Sequence, residues 1–569
     1  MAPEAAVAEQ ETRHSARPAR LKTPDPRKSA ILQIAASLFW VPQAALIAMT
    51  IGNVASGDAS TSSAWAAFGV LAIGILRAIL DSLGSRIAFR EGRRVASGLR
   101  QQAVRALAGR SPLDIERPEA GKAASVIAEQ AEMIVPYVAR FENAKLRAVI
   151  VPIVLLAVVL WLSWAAAVVL LVAAPLIPIF MALIGWRAQE ASEAQLAKTG
   201  DMNAFLLDRL RGITTIRALG AVDATAKRLR ANAEDLRTRT MTVLRIAFLS
   251  SAVLELFAAL GVAMVAVYIG FYLLGQLNFG TWGAHLGLGE GLFILLLAPA
   301  FFEPLRDLSA VWHDRAAGRA AIDELDRLSV SGRTIPGSSA PSAAVTVVAS
   351  SAAAVRIEEL SFRYGDDDGL VFERFDLSIS PGEHIALLGS SGAGKSTLLA
   401  LIAGLARPAA GTISIDGRYL TDETVGALRA DMAWIGQRPH IFAGTLASNV
   451  LLGRKIYTPH IADALQFAKL SALADARGAH VIGENGIGLS GGEALRLAIA
   501  RIAACPNARI ILADEPTAHL DAETANDIGD SLLALGRGKT MIVATHDLTL
   551  ARRMGRIVRL GSRSLERAA

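Results

Sequence analysis

The 569-residue chain contains a single cysteine, Cys505. One thiol cannot make a disulfide within the chain, a CxxC redox pair or a cysteine-based zinc site. It follows a helical run in an Ala-Ala-Cys-Pro stretch and reads as a small buried apolar residue. Charge is also scarce: Asp, Glu, Lys and Arg make up 19% of the chain, against about 25% in an ordinary soluble protein. The deficit is uneven, since residues 30 to 310 hold most of the apolar runs while 355 to 569 have a soluble composition. A cleaved signal peptide is not expected. Residues 1–28 are polar and Pro/Ala-rich, which reads as a disordered cytoplasmic tail, and the apolar run that follows is long enough to cross a bilayer. The net charge of +6 reads as the Lys/Arg bias of cytoplasmic membrane loops, and no nucleic-acid partner is expected.

Six apolar stretches, near residues 30–52, 64–83, 146–163, 165–186, 246–274 and 287–311, are long enough to cross about 30 Å of hydrocarbon. The third and fourth meet at Ser163 and Trp164, a tight interfacial turn. The links at 53–63, around 164 and at 275–286 contain no Lys or Arg, whereas the tail, 84–145 and 187–245 are rich in both. The positive-inside rule makes the tail and the two long segments cytoplasmic. Both long segments have helical periodicity, and Glu119–Lys122 and Leu207–Ile213 are the candidate stretches for touching a cytoplasmic domain. An ionisable group in a span costs about 3 kcal/mol at mid-bilayer. Arg77 and Asp81, four apart, could neutralise each other; Glu255 and Glu290 have no partner within their own helices. Arg77 is expected to face a cavity and attract an anionic group.

The C-terminal part is built around nucleotide chemistry. HIALLGSSGAGKSTLLALIAGL reads as strand, Gly-rich turn and helix, the setting of a phosphate loop. Gly389, Gly392 and Gly394 let backbone amides converge on phosphate oxygens at a helix N-terminus. The nucleotide-binding residues are these three with Ser390, Ala393, Lys395, Ser396 and Thr397. Lys395 supplies a cation for the terminal phosphates and Ser396 a hydroxyl for Mg²⁺. RIILAD is a buried strand ending in Asp514, a second magnesium contact. Glu515 follows, positioned to orient and deprotonate water. MIVATHD delivers His546 to the same strand-end edge, where ligands gather in such sheets.

With these motifs in order, behind an apolar N-terminal half, the chain resembles a half-transporter of the ABC family. The resemblance implies an all-α transmembrane domain with six helices of the type IV exporter kind, followed by an α/β P-loop ABC ATPase domain. The expected divisions are a tail at 1–28, a membrane domain at 29–325, a linker at 326–354 and a nucleotide-binding domain at 355–569. It further implies that Tyr364 stacks on adenine. Gln437 in WIGQRP would contact Mg²⁺ and join Glu515 and His546 in catalysis. Ser490, Gly491 and Gly492 of LSGGE would close over the partner's ATP. Two departures stand out: Glu493 where Gln is commoner, and His519 in AHLD where a small residue is usual. Neither removes a catalytic group, so an active ATPase using ATP and Mg²⁺ is expected.

ATP sandwiched between two such domains requires a dimer. FLLDRLRGITTIRALGA and LAPAFFEPLRDLSAVWH, outside the generic motifs, resemble the CydD subunit of CydDC-type exporters of cysteine and glutathione, needed for cytochrome bd assembly. That implies a heterodimer with a CydC-like subunit in a bacterial inner membrane, in contact with membrane lipids and moving small reduced thiols to the periplasm. The family is also associated with haem; no residue here is singled out as a ligand, and His285 and His313 are read as interface or loop residues. Two other readings stay open: a homodimeric lipid or multidrug exporter, and a redox- or haem-responsive regulator, against which intact Glu515 and His546 count.

Overall fold

The computed structural model describes residues 27–56, 62–283, 285–330, 332–338, 352–365, 368–454, 458–477, 481–483, 488–504 and 507–561. At some helical positions, mostly between 176 and 254, it describes the backbone alone. Residues 1–26 of the expected tail, Cys505 and the 339–351 part of the expected linker lie outside the described residues. The chain divides into two compact units: Met1–Val104 with Ala120–Ser329, and Arg105–Glu119 with Val330–Ala569.

The first unit is helical. Its main elements are α1 (Arg27–Leu38), α2 (Trp40–Ala55), α3 (Ser62–Ala108), α4 (Glu142–Leu162), α5 (Trp164–Arg211), α6 (Val222–Leu273), α7 (Leu288–Ala310) and α8 (Trp312–Val330). The first apolar stretch is therefore two helices. They separate at Phe39 because Pro42 has no N–H to bond the Leu38 carbonyl, and Pro is tolerated in the first turn of the new helix. Among the described residues five helical stretches are long and apolar enough to cross a membrane, and Trp164–Pro175 in α5 is a shorter apolar one. α3, α5 and α6 run unbroken for 47, 48 and 52 residues, or roughly 70–78 Å at 1.5 Å per residue. That is more than twice the hydrocarbon thickness, so each helix carries its apolar end into a charged extension.

The core of this unit gathers Ile269, Ile294, Leu297, Phe301 and Phe302. The last two rings meet edge to face at 5.0 Å. At Ser163 the chain turns from α4 into α5 in extended conformation, and its hydroxyl accepts from the Ala166 amide. The same buried hydroxyl donates to the Gly280 carbonyl at 2.7 Å and lies 3.1 Å from the Tyr268 hydroxyl. Gly280 has φ 104°, and a Cβ there would collide with that tyrosine hydroxyl. Of the two acids without an evident partner, Glu255 finds one on another helix and Glu290 one at the start of its own. Glu255 pairs with Arg306 at 3.2 Å, and Glu290 accepts from the Gly287 amide at 2.9 Å, capping α7. Arg77 and Asp81 do not pair; Arg77 donates to Gln43 Oε1 at 3.3 Å.

The second unit holds two sheets. A parallel sheet runs β6-β7-β8-β3-β9, from β3 (His384–Leu388), β6 (Met432–Ile435), β7 (Ile510–Asp514), β8 (Thr540–Thr545) and β9 (Arg556–Arg559). An antiparallel sheet runs β2-β1-β4-β5, from β1 (Val355–Phe362), β2 (Phe372–Ile379), β4 (Ala410–Ile415) and β5 (Arg418–Tyr419). Every residue of β7 and β8 is buried, which is why both read as uninterrupted apolar runs. The helices that matter for the site are α9 (Lys395–Ile402), α10 (Gly491–Ala503), α11 (Ala522–Leu535) and α12 (Leu548–Arg552).

Segment 105–119 joins this unit through backbone pairing. The Ser111 amide donates to the Arg333 carbonyl at 2.8 Å and the Ile335 amide to the Gly109 carbonyl at 2.7 Å. Leu113 packs against the same core as Tyr364. This pairing within the second unit is made by main-chain groups, which side-chain periodicity cannot signal.

Candidate functional site: a phosphate loop with three strand-end side chains

β3, β6, β7 and β8 end at one edge of the parallel sheet: the Gly-rich loop follows β3, Gln437 lies two residues beyond β6, and Glu515 and His546 directly follow β7 and β8. The loop after β3 turns into α9 through Gly394, at φ 89°. A Cβ at Gly394 would also stand 2.8 Å from the Phe372 ring, so the backbone angle and the packing both require glycine. Gly389 lies so close to the Leu560 carbonyl that a Cβ would reach it at 2.7 Å. Lys395 is buried, and its ammonium donates to the Gly389 and Ser390 carbonyls at 2.8 and 3.2 Å. Thr397, one turn into α9, lies 2.5 Å from the Tyr364 hydroxyl, which ties that ring to the phosphate-loop helix.

The strand-end acids meet this loop. The Ser396 hydroxyl donates to Asp514 Oδ1 at 3.0 Å. Glu515 lies 3.3 Å from the Lys395 ammonium through one carboxylate oxygen and 2.6 Å from His546 Nδ1 through the other. Glu515 itself has φ 48°, and its amide donates to the Ala544 carbonyl at 2.8 Å. A non-glycine residue held in the left-handed region stores strain, commonly at functional positions. Burial pushes the Asp514 carboxyl up, and the adjacent Glu515 charge pushes the same way, against the Ser396 hydrogen bond and the Lys395 charge. A buried carboxylate short of positive charge, beside a hydroxyl, suits a hard divalent cation with oxygen ligands. Gln437 is exposed two residues beyond β6, at the same edge.

Ser490 caps α10, its hydroxyl accepting from the Glu493 amide at 3.2 Å while Glu493 accepts from the Ser490 amide at 2.7 Å. Glu493 is thus the N3 residue of a capping box. Gly491 and Gly492 form the first turn of α10. His519 is exposed at φ 64°, a region that His enters more readily than most residues. His285 and His313, both exposed, lie in the first unit.

Two arginines stand out only in the structure. Arg501, on α10, donates to the His440 carbonyl at 2.8 Å and to the Asn449 carbonyl at 2.9 Å, linking the signature helix to the segment after Gln437. Arg429 donates to the Ala403, Gly404 and Pro336 carbonyls. Burial pushes both guanidinium groups down from their ordinary value. In sequence they resemble charges on solvated helix faces. Thr517 donates to Asp547 at 3.1 Å, joining the loops after β7 and β8.

Comparison with known proteins accords with this arrangement. The family description "ABC transporter transmembrane region" matches residues 28–288, and "ABC transporter" matches residues 372–518. The chain is 37% identical to Transport ATP-binding protein AarD of Providencia stuartii, over 84% of this chain and 81% of that one. It is 36% identical to the Glutathione/L-cysteine transport system ATP-binding/permease protein CydD of Haemophilus influenzae, over 83% and 80% of the two chains. In fold it matches a bacterial Atm1-family ABC exporter with ATP bound, with TM-score 0.76 and 22% identity, covering 95% of this chain and 93% of that one. A helical membrane domain is thus joined to an ABC ATPase that uses ATP and Mg²⁺, and hydrolysis is coupled to transport. The chain is a multi-pass membrane protein that belongs to the ABC transporter family, in its CydD-type group of fused permease and ATPase subunits.

Proposed function

We propose that the chain is one half of a heterodimeric ATP-driven exporter that moves reduced thiols, glutathione or L-cysteine, from cytoplasm to periplasm across a bacterial inner membrane. The observation that carries this reading is the likeness to the Glutathione/L-cysteine transport system protein, which spans 83% of the chain, membrane helices included. A likeness confined to the ATPase half would say nothing of cargo.

In this reading the amides of Gly389–Ser396 and the Lys395 ammonium hold the β- and γ-phosphates, and Tyr364 stacks on the adenine. Ser396, Asp514 and Gln437 hold Mg²⁺, which when bound neutralises phosphate charge. Glu515 orients the attacking water and takes its proton. His546, hydrogen-bonded to that carboxylate, keeps it aimed. Nucleotide has to draw Lys395 away from Glu515, so binding itself frees the base. Ser490, Gly491 and Gly492 close on ATP held by a CydC-like partner, whose own signature closes on the ATP held here.

The test is MgATP hydrolysis by the purified chain alone and with a CydC-like subunit. Stimulation by glutathione or cysteine only in the pair is the expected result. Strong stimulation of the chain alone by lipids or amphiphiles would instead assign it to homodimeric lipid or multidrug exporters.

A further inference from the structure

Five ionisable side chains surround one cavity of about 500 Å³ between α1, α2, α3, α4 and α7: Arg77, Asp81, Arg147, Glu303 and Asp307. A second cavity of about 310 Å³ shares Arg77 and Glu303 and is walled by Trp40, Val151, Leu296 and Pro299. A charged chamber therefore adjoins one with largely apolar walls, whose lining also includes Arg306, already paired with Glu255. Charge among membrane-spanning helices is costly, so such a concentration points to a ligand unless the groups neutralise one another.

They do so only in part. Arg147 pairs with Asp307 at 3.4 Å, yet its Nε is buried without a hydrogen-bond partner. Arg77 and Asp81 have the spacing of an intrahelical pair, but the guanidinium donates to the neutral Gln43 and lies over the Trp40 ring, 5.2 Å from its centroid. Among the described residues Arg77, Asp81 and Glu303 form no ion pair. One cation and two carboxylates are thus left facing a single space.

We propose that this cavity receives the α-amino-acid headgroup of the cargo. Arg77, braced by Trp40 and Gln43, takes the α-carboxylate; Asp81 and Glu303 take the α-ammonium; and the chamber beside Trp40 takes the rest of the molecule. A simple anion would meet two carboxylates here, and a simple cation would meet Arg77. Only a molecule carrying both charges close together satisfies all three groups. The identity of the cargo as a thiol rests on the function proposed above; the headgroup rule does not.

The experiment measures binding to the heterodimer with its CydC-like partner, in lipid nanodiscs, by thermal shift. The probes are cysteine, S-methylcysteine, cysteamine, which lacks the carboxylate, and 3-mercaptopropionate, which lacks the ammonium. Cysteine and S-methylcysteine should bind alike, and the other two at least about tenfold more weakly, as expected for loss of one charged hydrogen-bonding group. Arg77→Gln should bring cysteine down to the level of cysteamine and leave cysteamine unchanged, while Arg77→Lys retains part of the preference. Glu303→Gln should narrow the gap between cysteine and 3-mercaptopropionate. Equal binding of cysteine and cysteamine to the unmodified heterodimer, or an unchanged ratio in Arg77→Gln, overturns the proposal. If the headgroup preference holds while vesicles take up no thiol, the export reading fails and the site stands. If thiols are taken up with no headgroup preference, the reverse is true.

Discussion

At the residue scale the ATP site turns on which groups Glu515 and Asp514 touch. Glu515 bridges Lys395 and His546, so Glu515→Gln should keep nucleotide binding and lower turnover by about 10²- to 10⁴-fold, the usual worth of a general base. Steady-state hydrolysis alongside filter binding of labelled ATP separates the two effects, and normal turnover would remove Glu515 from the role. Asp514 carries a pKa raised by burial and by Glu515. Its ionised form therefore costs the folded protein stability above the folded pKa, and this cost fades as pH falls toward the unfolded value. Asp514→Asn should accordingly raise the nucleotide-free melting temperature at neutral pH, with the gap to the native chain narrowing on acidification, while Mg²⁺-dependent hydrolysis is lost. An unchanged melting temperature would mean that the carboxylate is not penalised. The residues of the phosphate loop and strand ends were legible because each motif is contiguous and its setting is a strand and a turn. Arg501 and Arg429 were not, since what they bind is main-chain carbonyl groups supplied by other elements.

At the scale of elements the signature helix offers the sharpest test. Glu493 closes the capping box at the N-terminus of α10, where its negative charge complements the helix dipole but opposes an incoming phosphate. Glu493→Gln keeps an acceptor for the Ser490 amide and removes the charge. It should lower KM for MgATP in the heterodimer with little change in melting temperature. Glu493→Ala loses the box at a cost of about 1 kcal/mol, and thermal melts of the two variants should diverge. A KM that Glu493→Gln leaves unmoved would show that the charge does not face nucleotide. The spans and their long helical extensions follow from apolar length and 3.6-residue periodicity. Cross-helix partners do not: Glu255 with Arg306, and Arg77 with Gln43 in preference to Asp81, join residues 51 and 34 positions apart. The cap of Glu290 on Gly287 is local, but it becomes visible only once the start of α7 is known.

For the whole molecule, composition already separated an apolar half from a soluble one, and the structure adds that Arg105–Glu119 belongs with the second unit. That segment is held by strand-like pairing with residues 333–335, a long-range register for which the sequence carries no pattern. The central claim concerns the assembly: two different half-transporters, with hydrolysis in this chain's site, move thiols. The most direct measurement is ATP-dependent uptake of labelled glutathione and cysteine into inside-out vesicles. These would carry the chain alone, the chain with a CydC-like partner, or that pair with Glu515→Gln. Uptake by the pair only, abolished by the substitution, is the predicted result; uptake by the chain alone, or unchanged uptake with Glu515→Gln, would contradict it.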